Sequence, residues 1–242
     1  MIIDESWLKE RAGDLTASVL FLTRLRYGPP TPVGGAAIAQ AAWAFPIAGL
    51  VVGAIGALVI LLALRLGLSS WAAAALAVGA TMAVTGCLHE DGLADTTDGF
   101  GAGKTREQKL AIMRDSRIGT YGVCVLALSI LLRVAALASL ADSAMVVPAL
   151  LAAHGAARAI MPAFMFFVPP ARRDGLSSSA GRPPRESVIA AAVLGVLILL
   201  FCFGPVLGLA ALVLLLIGAG LVAWLSLAQI DGQTGDVLGA VE

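Results

Sequence analysis

Charge is scarce in this chain. Only 13% of its 242 residues are Asp, Glu, Lys or Arg, against 59% apolar ones, and the mean hydropathy reaches +0.93. So small a share of charge excludes an ordinary soluble domain and identifies an integral membrane protein. The sixteen basic and sixteen acidic residues cancel, so no basic excess points to nucleic acid as a partner. Cysteine is scarce as well. Cys87, Cys124 and Cys202 are scattered through apolar sequence, which gives neither a disulfide framework nor zinc-ligand spacing. The basic start and compact apolar core of a cleaved signal are also missing, because Asp4, Glu5, Lys9, Arg11 and Asp14 precede any long apolar run.

What is present is a series of apolar runs, each of the length that crosses a hydrocarbon layer about 30 Å thick. They fall near 36–64, 71–88, 118–140, 145–168, 187–203 and 206–228, the last two split where Gly204-Pro205 breaks a helix. Gly49, Gly53 and Ala57 give the first of these a small-residue spacing that lets a neighbouring helix approach closely. Residues 3–26 read as an amphipathic interfacial helix with Trp7, Leu8, Leu15, Val19 and Leu22 on one side, closed by Arg24 and Arg26. The expectation is an all-α fold: one polytopic transmembrane helical bundle of about six spans, forming a single integral-membrane domain over 1–242. Its polar loops are 89–117, 169–186 and 229–242. Of the sixteen Lys and Arg residues, four lie in the N-terminal segment, five between Lys104 and Arg117 and four between Arg172 and Arg185, whereas the opposite side has only Arg65. The positive-inside rule then puts the N-terminus and those three loops in the cytoplasm.

Against this background the stretch HEDGLADTTDG, 89–99, stands out at the end of an apolar run. If Asp91, Asp95 and Asp98 continue the preceding helix, offsets of four and seven residues place them within about 60° of arc and roughly 10 Å of rise. Like charges packed so closely repel unless a cation joins them. A hard divalent cation completed by phosphate oxygens, Mg²⁺ by default, is the usual solution. The alternative is a solvated, charged loop that caps a helix. The basic segment KTREQKLAIMRDSRIGTYG follows, and Asp115 within Arg114-Asp115-Ser116-Arg117 is not explained by a simple membrane-facing charge bias. Arg133 and Arg158 sit inside spans, Arg158 with His154 one turn away. Intramembrane ionisable residues are functional candidates or are paired with buried acids.

HEDGLADTTDG, IMRDSRIGTYG and the ending GQTGDVLGA, with FLTRL at 21–25, FPIAGLVVGA at 45–54 and Arg158 followed by ARRDGL at 171–176, together resemble the cobalamin synthase family, the adenosylcobinamide-GDP ribazoletransferases. The resemblance runs nearly the whole chain. It implies a bacterial inner-membrane, Mg²⁺-dependent transferase that joins adenosylcobinamide-GDP to alpha-ribazole or its phosphate and releases GMP. The roles it suggests are metal binding for Asp91, Asp95, Asp98 and Asp115, catalysis for Asp98 and Asp115, and substrate binding for His89, Arg114, Arg117, Arg158, Thr234 and Asp236. Besides its substrates and the lipid bilayer, it leaves open a homo-oligomer or association with other cobamide-assembly enzymes. Glu90 replaces a usual apolar residue, where it either adds a ligand or faces headgroups, and Ala157 replaces a frequent serine. Family members carry a further apolar helix after the last motif, so a chain ending at Glu242 leaves GQTGD less anchored. A CDP-alcohol phosphotransferase would require a longer motif that is not spelled out here. An ion- or proton-coupled transporter would place its acids near mid-membrane, whereas these lie at one interface.

Overall fold

The computed structural model describes residues 5–25 and 35–242; Arg26, expected to close the first helix, lies outside them. Among the described residues the chain is helical without strands, apart from an isolated bridge between Pro170 and Gln233. It is a transmembrane helical bundle. In order come α1 (Glu5–Leu22), α2 (Gly35–Ala41), a short 3₁₀ turn (Ala42–Ala44), α3 (Phe45–Arg65), α4 (Ser70–Thr85), α5 (Leu88–Ala102), α6 (Arg106–Ile112), α7 (Thr120–Leu140), α8 (Val146–Phe167), α9 (Leu176–Ala180), α10 (Arg185–Ile230) and α11 (Gly235–Val241).

Four segments are long and apolar enough to cross a bilayer: Gly35–Arg65, α7, α8 and α10. The 46-residue α10 would measure about 70 Å if straight, twice what a bilayer needs. It does not run straight. At Gly204 the backbone takes φ 71°, ψ 177° and Pro205 follows. The two arms fold back so closely that a Cβ on Gly208 would lie 2.8 Å from the Leu199 carbonyl oxygen. Both ends of α10 therefore sit at one end of the bundle: Ser187 Oγ donates to the Gln40 carbonyl (3.0 Å), and the Ile230 carbonyl accepts from Arg106 Nε (3.0 Å). The arms turn Phe201, Val206, Leu214, Ile217 and Trp224 outwards, which suits hydrocarbon and not water. At 16 residues, α4 is a shorter pass. Among the described residues it is long and apolar enough to cross only when taken together with α5, from which it is bent by 88°.

α3 packs on α8 through the expected small residues. A Cβ on Gly53 would lie 2.6 Å from the Leu150 carbonyl oxygen, and one on Gly49 would strike the His154 carbonyl. Ala57, Ile60 and Ala63 of α3 join Ala73, Ala74 and Ala77 of α4, Val134 and Leu137 of α7, and Val146 and Leu150 of α8 in an apolar cluster at one end. At the other end Leu22, Ile38, Phe45, Met161, Met165, Ile230 and Val237 form a second cluster, under the polar helices α5, α6, α9 and α11. The first helix is docked there: Phe21 stacks on Phe45 at 5.9 Å, and Trp43 Nε1 donates to Asp14 Oδ2 at 2.9 Å. Val19 and Leu22 of its expected apolar side pack inwards, while Trp7 and Leu8 remain 52% and 50% exposed at its free end.

Two expectations change. Residues 89–117 are not a loop, because α5 and α6 occupy most of it. Nor does α5 continue α4, since the two meet at a bend of 88°. Gly86 (φ 66°) and Cys87 (φ 57°) both take left-handed backbone conformations, a pairing that stops α4 and redirects the chain across the end of the bundle.

Candidate active site

The bend carries the acids of α5 out of the membrane-crossing stack while keeping them on one helix. Against that helix packs α11, whose N-terminus is capped by Thr234: its Oγ1 accepts from Val237 N at 3.3 Å and donates to Asp236 Oδ2 at 3.1 Å. The helices approach through glycine. A Cβ on Gly92 would lie 2.6 Å from the Asp236 carbonyl oxygen, and one on Gly239 would lie 3.2 Å from Gly92 Cα. Gly92→Ala is thus expected to displace α11 and cost about 1–3 kcal/mol, measured as a lower unfolding midpoint in detergent together with lost activity.

This packing gathers Asp236 with Asp91 and Asp95. The Asp95 carboxyl is raised from 3.8 to about 6, first by burial and then by the negative charges of Asp91, Asp236 and Asp98. Burial also raises Asp236, although Thr234 and the Arg172 guanidinium, 3.6 Å away, pull the other way. On one flank Asp91 and Asp236 line a cavity of about 150 Å³ with His89, Arg172 and Ser177. On the other, Asp91 and Asp95 line a wider crevice of about 410 Å³ with Glu90, Arg114 and Asp115.

Other expected site residues have different company. Asp98 turns towards α7, where its carboxylate accepts from Gly119 N (2.7 Å) and Gly122 N (2.9 Å). It caps that helix, so it has a structural partner besides the metal-binding and catalytic roles expected of it. Asp115 is paired with Arg117, Nη2 to Oδ2 at 2.6 Å, and this bond holds its carboxyl near 2. Arg114 is paired with Asp174 at the rim. Arg158 is fully buried and pairs with Glu242 at 2.6 Å, while His89 Nε2 lies 2.5 Å from the other Glu242 oxygen. The structure thus separates Arg158 and His154 from the aspartates of the crevice. Glu90 lines the crevice beside the aspartates, but its carboxylate is held by Arg133, Nη1 to Oε1 at 2.8 Å.

A model of the family described as cobalamin-5-phosphate synthase matches residues 14–242. The chain belongs to that family. A Bradyrhizobium diazoefficiens protein named adenosylcobinamide-GDP ribazoletransferase is 53% identical over 242 residues, covering all of this chain and 93% of the relative. Proteins of the same name from Mesorhizobium japonicum (51% identity, 95% of this chain and 88% of the relative) and Azorhizobium caulinodans (42%, 95% and 90%) are similar. No solved structure matches it.

Seen as a cobalamin-5-phosphate synthase, the chain contains functional candidates that sequence reasoning passed over. Arg172 reaches Asp236 and leaves Nη1 buried without a partner on the cavity wall; its signal was the segment ARRDGL. Gln233 is buried and accepts from Ser177 Oγ at 2.8 Å. The expectation that GQTGD is weakly held is also corrected: Thr234 is 1% exposed, Gln233 exchanges backbone bonds with Pro169 and Ala171, and Glu242 closes the segment against α8.

Among the described residues no three His, Cys, Asp or Glu side chains converge as a ready metal cage. The donor chemistry nevertheless fits Mg²⁺. Hard carboxylates at Asp91 and Asp236 act on Asp95, whose carboxyl is raised first by burial and then by their negative charge, a repulsion that a cation would relieve. Magnesium needs only one or two protein carboxylates when phosphate oxygens and water complete its shell.

Proposed function

We propose that this protein transfers the adenosylcobinamide-phosphate group of adenosylcobinamide-GDP to alpha-ribazole or its phosphate, with release of GMP. The meeting of Asp91 and Asp95 from α5 with Asp236 from α11, beside Arg172 and Arg114, carries the reading. It is supported by full-length similarity to relatives that bear the transferase name. Asp91 and Asp95 would hold Mg²⁺, which when bound supplies charge neutralisation on the diphosphate and its leaving group. Arg172 and Arg114 offer guanidinium forks to phosphate oxygens. Asp236, whose buried carboxyl is pushed up, is positioned to take the proton from the attacking ribose hydroxyl. Asp115, held near 2, is a poor proton acceptor at neutral pH, so we assign it to fixing Arg117 at the rim.

The site faces the cytoplasm of the bacterial inner membrane in this reading. Support comes from the sequence, in which thirteen of sixteen Lys and Arg residues fall in the N-terminal segment, 104–117 and 172–185. The direct experiment is turnover of adenosylcobinamide-GDP and alpha-ribazole by purified protein, scored for GMP and cobamide product. Product that depends on a divalent cation is expected; none in folded protein would overturn the assignment.

Cation binding should also depend on pH. The folded Asp95 carboxyl binds its proton more tightly than the unfolded one, at about 6 against 3.8. That group alone therefore stabilises the fold below 3.8 and loses this contribution as pH rises through 6. Mg²⁺ needs the ionised form. The rise in melting temperature that Mg²⁺ produces should thus be full above pH about 7 and fade as pH falls through about 6. A thermal-shift series across pH measures it.

A further inference from the structure

Beside the acidic crevice a second cavity of about 280 Å³ lies between α4, α7 and α8, open on the side where Ala136 and Ala153 are exposed. Its walls are apolar and small: Val78 of α4, Ala136, Leu137 and Leu140 of α7, and Ala149, Leu150, Ala153 and Ala157 of α8. Polar groups gather at His89, Glu90, Arg133, His154, Arg158 and Glu242. The proposed chemistry uses none of these.

Three features specify what such a space would hold. First, it is sized for a single ring system, at the lower limit of small-molecule pockets, and is too small for a corrinoid or a dinucleotide. Second, donors wait in it: Arg158 is fully buried, yet its Nε and Nη2 have no partner, because Nη1 alone serves Glu242, His154 Nδ1 (3.2 Å) and the His154 carbonyl (3.1 Å). A buried donor without an acceptor is costly, so a ligand with acceptor atoms is favoured. Third, the charges already balance. Arg133 pairs with Glu90 and Arg158 with Glu242, so each guanidinium of the cavity is already matched by a carboxylate. An anionic ligand would leave a net negative charge in a low-dielectric site, whereas a neutral one would not. The cavity also adjoins the reaction crevice, because His89 lines both this space and the cavity with Asp91 and Asp236, and Glu90 lines both this space and the crevice with Asp95.

We propose that this cavity is the acceptor subsite, taking the neutral, apolar fused-ring base of the nucleoside acceptor. The inference rests on the transferase reading. The base lies among Ala136, Leu137, Leu150 and Ala157, its one free ring nitrogen accepts from the unpartnered Arg158 guanidinium, and the ribose extends past His89 towards Asp236.

The test uses Ala157→Leu and Ala136→Leu, which fill the cavity from opposite walls, in the full chain. Two variants guard against one failing to fold. In each folded variant the KM for alpha-ribazole should rise by about tenfold or more, the scale at which a few methylenes alter a pocket. The KM for adenosylcobinamide-GDP should stay within about twofold. Free dimethylbenzimidazole should bind wild type by calorimetry, compete with alpha-ribazole, and bind the variants at least about tenfold more weakly. Unmoved KM values in folded variants, parallel rises for both substrates, or competition by a long-chain fatty acid in place of the base would overturn the subsite. Base binding without any turnover in wild type would instead sink the transferase reading.

Discussion

Replacing Asp91 or Asp95 with Asn is expected to slow GMP release from adenosylcobinamide-GDP by roughly 100-fold to 1000-fold, the scale of losing one electrostatic stabiliser of a transition state. The substitution keeps shape and hydrogen-bonding capacity while removing charge. Asp91 is exposed between the two cavities and Asp95 is only half-buried, so neither change should unfold the bundle. For Asp95→Asn, removing a repelled carboxylate should leave the unfolding midpoint unchanged or higher. Asp98→Asn provides the contrast. Its carboxylate serves the Gly119 and Gly122 amides, so its loss should lower stability and activity together. Steady-state GMP release paired with unfolding in the same detergent separates the two patterns.

The second large effect concerns the pair buried in the membrane. Arg158→Met leaves the Glu242 carboxylate beside His89 without its cation, and removing one partner of a buried pair typically costs about 3–5 kcal/mol. Glu242→Gln strands Arg158 in the same way. The double variant Arg158→Met/Glu242→Gln should cost well under the sum of the two, because no uncompensated charge remains. Denaturant unfolding in mixed micelles measures the cycle, and additive losses would contradict a direct pairing.

The membrane-crossing part of the fold was legible because apolar run length is nearly the whole signal in a bilayer. Gly204-Pro205 marked the hairpin for a local reason: no other pair breaks a helix so plainly. The bend at Gly86-Cys87 was not legible, since a left-handed cysteine has no strong sequence signature and the polar residues beyond it resemble a loop. For the site, the spacing of Asp91, Asp95 and Asp98 gave one helical face correctly but not what packs against it. The N-terminus of α7 engages Asp98, and α11 brings Asp236 to the other two. Arg158 and Glu242 are 84 positions apart, and only the docking of α11 on α5 and α8 makes them partners. Such pairings follow from tertiary contact, which no local pattern encodes.

The sharpest measurement is Mn²⁺ binding by electron paramagnetic resonance, with Mn²⁺ replacing Mg²⁺ and adenosylcobinamide-GDP present. Wild type should bind the ion, and Asp91→Asn and Asp95→Asn should lose most of that binding while Asp115→Asn retains it. Undiminished Mn²⁺ binding in both Asp91→Asn and Asp95→Asn would contradict a metal and diphosphate site at this end of the bundle.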